Sequence, residues 1–180
     1  MRLPSKVAVI TGAGSGMGKA MALLFAQEGA KVVCADRSGK EEEVAASIGD
    51  AAVAVHVDVA VSADVQRMIN TAVIRFGRLD ILCNNAGFGG RTMPLAEHTE
   101  DNFDNVLAVN LKGVFLGMKY GIAAMLRTGG GSIVNTASAA ALVGWKGHGV
   151  YATAALFLAS DESSFITGVA LPVDGGYVTG

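Results

Sequence analysis

The eight residues from Thr11 to Gly18 constrain the fold of this chain more than any other segment. They read Thr-Gly-Ala-Gly-Ser-Gly-Met-Gly and directly follow the apolar run Val7 to Ile10. Glycine has no Cβ, so these positions let the backbone turn tightly and approach a ligand closely. A buried strand, a glycine-rich turn and a following helix form the arrangement by which α/β proteins hold a phosphate group. The segment therefore predicts a strand–turn–helix unit with an anion-binding site at the helix N-terminus.

The spacing of the glycines and a downstream acid make this interpretation more specific. The pattern from Gly12 is Gly-x-x-x-Gly-x-Gly, and in the commoner Gly-x-Gly-x-x-Gly pattern the third glycine would fall on Met17. A glycine cluster alone is equally typical of an ordinary tight turn. Here a second apolar run, residues 31–35, follows the helix and ends at Asp36. Because a carboxylate at this point accepts hydrogen bonds from a ribose in dinucleotide-binding units, we expect dinucleotide binding.

Apolar runs alternate with segments of helical periodicity along the chain. The predicted strands are residues 6–10, 31–35, 51–57, 79–83 and 132–136, and the predicted helices are 17–28, 41–48, 62–76 and about 100–127. Ser62 is expected to cap the third helix, and Thr99 to open the long last one. The strands are apolar throughout, so burial on both faces is expected. The pattern predicts an α/β fold with a parallel, doubly wound sheet between two helical layers, in a single domain of residues 1–180.

Charge and cysteine content narrow the function classes. The formal net charge is −2, from 14 basic and 16 acidic side chains, which gives no electrostatic basis for binding nucleic acid or an anionic membrane. Cys34 and Cys83 each lie in a predicted strand, which indicates reduced core thiols and no metal site. No apolar run approaches membrane-spanning length, and the N-terminus lacks a signal-peptide pattern. A cytoplasmic protein is therefore expected.

Several motifs resemble those of the short-chain dehydrogenase/reductase family, over nearly the whole chain. Residues 11–18 match its cofactor loop, residues 84–87 its Asn-Asn-Ala-Gly motif, and residues 166–176 its last strand. Asn110, Ser138 and Tyr151 match three of its four catalytic positions. The resemblance implies a Rossmann-type fold, a nicotinamide dinucleotide cofactor, and hydride transfer to or from a secondary alcohol or ketone. It also implies a homo-oligomer, either a dimer or a tetramer.

The same resemblance assigns cofactor-binding roles to one set of residues. The set is Gly12, Ser15, Gly16, Met17, Gly18, Asp36, Arg37, Asp58, Val59, Asn85, Ala86, Gly87 and Tyr151. NAD is expected over NADP, because Asp36 would repel a 2′-phosphate and Ser15 stands where NADP-preferring relatives often carry a basic residue. Arg37 opposes this expectation, since a guanidinium pairs well with a phosphate. The pair Asp58-Val59 resembles the residues that contact adenine; the alternative is a capping acid and an ordinary core valine.

The catalytic roles are likewise those that the resemblance implies. Tyr151 would act as the general acid/base, Ser138 would hold the substrate oxygen, and Asn110 would hold a water and the geometry of the long helix. The alternatives are half-buried packing for Tyr151 and a helix cap for Ser138. Val143 and Trp145 are candidates for the substrate pocket by position. The three histidines, His56, His98 and His148, are expected to be structural or exposed and to form no site.

The sequence departs from the family pattern after Tyr151. The family motif is Tyr-x-x-x-Lys, and Ala155 occupies the lysine position. A tyrosine of ordinary pKa, near ~10, is only about 0.1% ionised at pH 7. The rest of the catalytic helix, a sixth strand and the substrate-covering loop also lack counterparts, with the join near Thr153-Ala154. Either a longer protein contains residues absent here, or the chain is a catalytically inactive dinucleotide-binding module or truncated product.

Overall fold

The computed structural model describes residues 1–141, 143 and 145–153. Its strands are β1 (Val7–Thr11), β2 (Lys31–Asp36), β3 (Ala52–His56), β4 (Ile81–Asn84) and β5 (Ser132–Asn135). Its α-helices are α1 (Gly16–Gln27), α2 (Lys40–Ile48), α3 (Ser62–Phe76), α4 (Glu100–Leu107) and α5 (Gly113–Arg127). A π-helix spans Ala108–Lys112, and 3-10 turns span Leu95–Glu97 and Ala139–Ala141. The predicted last strand and the lysine position Ala155 lie outside the described residues.

The strands form one parallel sheet in the order β3-β2-β1-β4-β5. The chain begins in the centre with β1, adds β2 and β3 on one side, and then crosses to add β4 and β5 on the other. Because parallel crossovers are right-handed, reversing the direction of winding places helices on both faces of the sheet. This arrangement confirms the predicted α/β fold of Rossmann type.

The described residues form two compact units. The first contains residues 1–86 and 113–135, with the whole sheet and its principal core. The second contains residues 87–112 and the described residues from 136 onward, and has a small core of its own in which Val106 packs with Val150. The organisation of residues 1–180 as a single domain stays a prediction.

Burial differs between the central and outer strands of the first unit. Every residue of β1 is buried, and Ile10, Val32 and Cys34 belong to the core. β3 is half-buried, however, and Val134 in β5 is 48% exposed. The prediction that all strands are buried on both faces is therefore wrong for these two, which lie at the edges of the described sheet. Burial raises the pKa of both Cys34 and Cys83 to about 11, so both thiols stay protonated at neutral pH.

Three local predictions about the helices have different outcomes. Thr99 caps α4, because its hydroxyl accepts a hydrogen bond from the amide of Asn102 at 3.2 Å. Ser62 does not cap α3: Val61 is the capping residue, and the Ser62 hydroxyl is hydrogen-bonded to the Tyr120 hydroxyl at 2.7 Å. The long helix predicted over residues 100–127 is interrupted by the π-helix, whose only buried residue is Asn110.

Among the described residues, one helical stretch, Glu100–Arg127, is long and apolar enough to cross a bilayer by length and composition. The sequence prediction considered uninterrupted apolar runs and did not find it. In its most apolar window of 18 residues, 44% is buried inside the protein, and its α5 segment packs against α3 and β4. Such packing is typical of the core helix of an α/β protein.

Candidate functional site

The turn between β1 and α1 presents backbone amides at an open helix end. Gly12 has a φ of 70°, in the left-handed region that favours glycine. A side-chain carbon on Gly18 would overlap the Gly12 carbonyl oxygen, so the helix approaches the turn this closely only because glycine is present. In the described part of the chain, Ser15 makes no side-chain cap to α1, and no acidic residue lies in the first turn. The first amides of an α-helix have no partner within the helix, so this end of α1 fits a diphosphate.

The Thr11 side chain, at the end of β1, holds the turn that follows β4. Its hydroxyl donates to the carbonyl of Cys83 at 3.3 Å and accepts from the amides of Asn85 and Ala86 at 2.9 and 3.0 Å. The Asn85 side-chain amide donates to the Thr11 carbonyl at 3.1 Å. Because β1 and β4 are adjacent parallel strands, their carboxyl ends meet at one edge of the sheet. The structure thus brings the glycine turn and the residues 85–86 together.

The Asp36 carboxylate is fixed by two backbone amides. One oxygen accepts from Gly14 at 2.9 Å and the other from Ser38 at 3.0 Å. Partial burial raises the pKa of Asp36, but these hydrogen bonds outweigh it, and the pKa lies below its usual value. The side chain is therefore ionised at neutral pH and stands beside the glycine turn. A side-chain carbon on Gly14 would lie 3.0 Å from the carboxylate, which leaves glycine as the residue that fits there.

Arg37, Asp58 and Val59 follow the neighbouring strand ends. The Arg37 guanidinium forms an ion pair with the Asp58 carboxylate at 3.7 Å, with both side chains substantially exposed. Asp58 also accepts from the amide of Ala60 at 2.9 Å. Val59 is buried, and a side-chain carbon on Gly113 would lie 2.9 Å from it. These contacts match the alternative roles, a capping acid for Asp58 and a core valine for Val59. Contact of the two residues with adenine stays a prediction.

A buried and a half-buried asparagine are hydrogen-bonded to each other at this edge of the sheet. Asn84, 4% exposed, donates from its side chain to the side-chain oxygen of Asn135 at 2.8 Å. A side-chain carbon on Gly117 would overlap the Asn84 side chain, so α5 also requires glycine at this point. This pair joins the carboxyl ends of β4 and β5.

Within the second unit, the Asn110 side chain is hydrogen-bonded to both the amide and the carbonyl of Phe88. The Asn110 side-chain oxygen accepts from the Phe88 amide at 3.0 Å, and its side-chain nitrogen donates to the Phe88 carbonyl at 2.9 Å. A side-chain carbon on Gly87 would lie 3.3 Å from the same Asn110 oxygen. The π-helix aims this amide away from the α-helical repeat, which explains how a buried asparagine is satisfied in an apolar helix.

The other two predicted catalytic positions, Ser138 and Tyr151, also lie in the second unit. The Ser138 hydroxyl accepts from the Ala140 amide at 3.2 Å, which is the capping contact that the sequence offered as an alternative role. Tyr151 is half-buried in a helical segment, residues 149–153. Trp145, 43% exposed, contacts the ring of His148 edge to face, with centroids 6.2 Å apart. Val143 is half-buried, and its lining of a substrate pocket stays a prediction.

The three histidines have separate partners. His56 is hydrogen-bonded to the buried Glu41 carboxylate at 3.1 Å, His98 to Asn102 at 2.8 Å, and His148 to Thr92 at 3.4 Å. Among the described residues there is no group of three or more histidine, cysteine or acidic side chains placed to bind a metal.

Three contacts of the site were not predicted from the sequence. They are the Thr11 hydroxyl that binds residues 85–86, the packing of Gly14 against Asp36, and the Asn84–Asn135 pair. Thr11 stood inside the glycine motif, so its place at a strand end was visible. The partner of each side chain was not visible, because it depends on which strands become neighbours.

Comparisons with known proteins agree with this architecture. The family model described as short chain dehydrogenase matches residues 6–160. The mitochondrial borneol dehydrogenase of Lavandula x intermedia is 36% identical, with 97% of this chain and 91% of that protein covered. An uncharacterised oxidoreductase of Thermotoga maritima is 45% identical, with 84% and 61% covered. A crystal structure of 3-ketoacyl-(acyl-carrier-protein) reductase from Brucella melitensis, complexed with NADH, is 38% identical with a TM-score of 0.86, covering 91% of this chain and 69% of that one.

These matches define a family of α/β oxidoreductases that use a nicotinamide dinucleotide. The chain belongs to the short-chain dehydrogenase family, whose reaction moves a hydride between that cofactor and an alcohol or ketone. This chain aligns with only 61% of the length of the Thermotoga relative.

Proposed function

We propose that this chain is an NAD-dependent oxidoreductase that interconverts a secondary alcohol and a ketone. The observation that carries the proposal is the geometry of the β1–α1 turn, where Gly18 lets the open end of α1 lie against the Gly12 carbonyl. An uncapped helix end with no acidic residue in its first turn is suited to a diphosphate. The Brucella reductase, similar over 91% of this chain, is complexed with NADH.

The state of Asp36 supports NAD over NADP. Its carboxylate is ionised and held by the amides of Gly14 and Ser38, so it is fixed where it would accept hydrogen bonds from ribose hydroxyls and repel a 2′-phosphate. Arg37 is the cation that would relieve this repulsion. It is paired with Asp58 at 3.7 Å, and to pair with a phosphate it would have to exchange one anion for another.

The catalytic roles in this proposal belong to the second unit. When bound, the nicotinamide supplies the hydride acceptor or donor. Tyr151 would exchange the proton with the substrate oxygen, and Ser138 would donate a hydrogen bond to the same oxygen. Asn110 would fix the Phe88 backbone, as its two hydrogen bonds indicate, and hold a water.

Ala155 at the family's lysine position favours a second candidate, a catalytically inactive dinucleotide-binding module. The alignment with the borneol dehydrogenase supports the other explanation, that a longer protein contains residues absent from this chain. The alignment extends over 239 positions and this chain has 180 residues, so at least 59 positions of the borneol dehydrogenase have no counterpart here. We propose that the missing residues belong near the join at 153–154 and restore the lysine.

Calorimetric titration of the purified chain with NAD and NADP, followed by an assay against a panel of secondary alcohols, tests these proposals. We expect NAD to bind more tightly than NADP and Asp36→Asn to reduce the difference. Asp50→Asn, an exposed acid in the turn before β3, serves as the control. Binding of NAD without hydride transfer would establish the inactive module. Failure of both dinucleotides to bind the folded chain would overturn the cofactor assignment.

A cytoplasmic location and a homo-oligomer, dimer or tetramer, are also part of the proposal. The buried, protonated thiols of Cys34 and Cys83 support a reducing compartment. Cell fractionation and light scattering test the two points separately.

A further inference from the structure

Two segments of the second unit are joined at His148. Nε2 of the His148 ring is hydrogen-bonded to the Thr92 hydroxyl at 3.4 Å. The ring also lies near Gly89, where an added side-chain carbon would be 3.7 Å from Nδ1. The backbone repeats the connection, because the Met93 amide donates to the Gly147 carbonyl at 3.1 Å. Residues 89–93 and 145–148 are therefore held together by side-chain and backbone contacts.

His148 also begins the helix that carries Tyr151. Its carbonyl accepts the hydrogen bond of the Ala152 amide at 2.9 Å, and its own amide donates to the Trp145 carbonyl at 3.1 Å. The residue after next, Val150, is 3% exposed and packs with Val106. The direction of this first turn is thus set on one side by Val150 and on the other by the His148 ring.

The segment that His148 contacts is the one that Asn110 holds. Asn110 bonds both polar backbone groups of Phe88, which immediately precedes Gly89. A connection therefore runs from the Asn110 side chain, along the backbone of residues 88–93, to the His148 ring and the first turn of the Tyr151 helix. The positions 110 and 151 are separated by 41 residues of sequence but share this connection.

We propose that His148 is a positioning residue, which couples the segment held by Asn110 to the N-terminus of the Tyr151 helix. The catalytic part of this inference rests on the proposed function, since it concerns how Tyr151 is oriented for proton exchange. The coupling itself is a property of the fold and does not require a bound cofactor. Residue spacing alone does not indicate this role, because His148 lies in a glycine-rich stretch of the sequence and its partner Thr92 is 56 residues earlier.

The first test is amide hydrogen exchange, measured by NMR on the whole chain. In His148→Leu we expect exchange to accelerate about three- to tenfold at Ala152 and also at Phe88, the scale of one lost hydrogen bond. His148→Gln keeps a polar group for Thr92 and should restore slow exchange at both amides. Thr92→Val removes the hydroxyl and keeps the shape, so it should accelerate exchange at the same two amides. This variant replaces His148→Leu in the test if His148→Leu does not fold. Lys146→Ala, an exposed neighbour, is the control and should change neither amide.

Acceleration at Ala152 alone would show a local cap without coupling and would overturn the proposal, as would equal exchange in the Leu and Gln variants. The second test is kinetic. His148→Leu should lower kcat by about three- to tenfold, leave the KM for NAD unchanged, and show no further loss when combined with Thr92→Val. Additive losses would contradict the shared connection. If the chain binds no NAD, the proposed function fails, and the exchange measurements still decide this inference.

Discussion

In the first unit, the candidate functional residues are positioned by the strands of the sheet. In the second unit, the candidate functional residues are positioned by a few side-chain contacts. In the first unit, Thr11, Asp36 and Asn85 lie at the carboxyl ends of hydrogen-bonded strands, and each is fixed by backbone groups of a neighbouring strand or turn. In the second unit, Asn110 holds one residue of backbone, and Tyr151 lies in a short helix that begins at His148.

This difference separates two kinds of sensitivity. Substitutions in the first unit are expected to change the free energy of unfolding and cofactor affinity together, because the same hydrogen bonds support both. Substitutions in the second unit are expected to change turnover with little effect on affinity. Substitutions at Tyr151, Gly18 and Thr11 test this separation, with expected effects that decrease in that order.

The largest effect is expected at Tyr151. Tyr151→Phe removes the proposed proton donor and should lower kcat by about 10²- to 10⁴-fold, the usual contribution of general acid–base catalysis. Affinity for NAD should fall by no more than about tenfold, the worth of one hydrogen bond. Steady-state kinetics and calorimetry measure the two quantities. Tyr120→Phe is a matched control, because it removes a phenol hydroxyl bonded to Ser62. A nearly unchanged kcat in Tyr151→Phe would contradict the proposed role of Tyr151 as the acid.

The next effect is expected at Gly18. Gly18→Ala places a methyl group against the Gly12 carbonyl, so the first turn of α1 must shift from the glycine turn. Such overpacking costs about 1–3 kcal/mol, and we expect a comparable loss of NAD affinity, about tenfold to hundredfold. Gly89→Ala is the control, because its new carbon would lie at an ordinary contact distance of 3.7 Å from His148. Equal affinities in the two variants would show that the close approach at Gly18 is unnecessary for binding.

The sequence predicted the first unit well because its determinants are local. The apolar runs before Gly12 and Asp36 marked the strand ends, and α3 ends at Phe76 as its periodicity indicated. What escaped prediction there was the identity of partners such as Asn135 for Asn84, which depends on strand order.

The second unit was harder to predict because its geometry depends on departures from regular repeats. The π-helix at Ala108–Lys112 continues a good helical pattern, so nothing in residue spacing distinguishes it from an α-helix. It contains the buried Asn110 amide, which makes two hydrogen bonds to Phe88, a partner 22 residues earlier. The roles of Ser138 and Tyr151 came from family resemblance, and they stay predictions.

The third effect is expected at Asp80, which precedes β4 at the amino ends of the strands. This buried carboxylate accepts from the Val7 amide at 3.0 Å and from Arg78 at 2.6 and 2.8 Å, and Lys6 lies at 3.4 Å. Burial raises the pKa of Asp80, but these donors outweigh it, and the pKa lies below its usual value. Asp80→Asn should lower the free energy of unfolding at pH 7 by about 2 kcal/mol, as for hydrogen bonds to charged groups.

The pH dependence of that loss follows from the direction of the shift. Because the folded pKa is depressed, the carboxylate stabilises the fold above the ordinary pKa of about 4 and loses this contribution as pH falls through the folded value. Urea denaturation of the two proteins should therefore give stabilities that converge below about pH 4. Asp50→Asn, an exposed acid, is the control. A difference that persists unchanged in acid would assign the effect to packing instead of charge.

The smallest effect is expected at Thr11, where the separation between the units is tested most directly. Thr11→Val removes the hydroxyl that accepts from Asn85 and Ala86, and partly buried amides left without an acceptor cost about 1–2 kcal/mol. Because the same turn belongs to the proposed cofactor site, NAD affinity should fall together with stability, by about tenfold or less. Thr71→Val, whose hydroxyl bonds a carbonyl within its own helix, should change neither quantity by more than about 0.5 kcal/mol. If Thr11→Val lost stability but kept its NAD affinity, the sheet would support the fold without positioning the cofactor turn, and the two units would not differ in the way their contacts indicate.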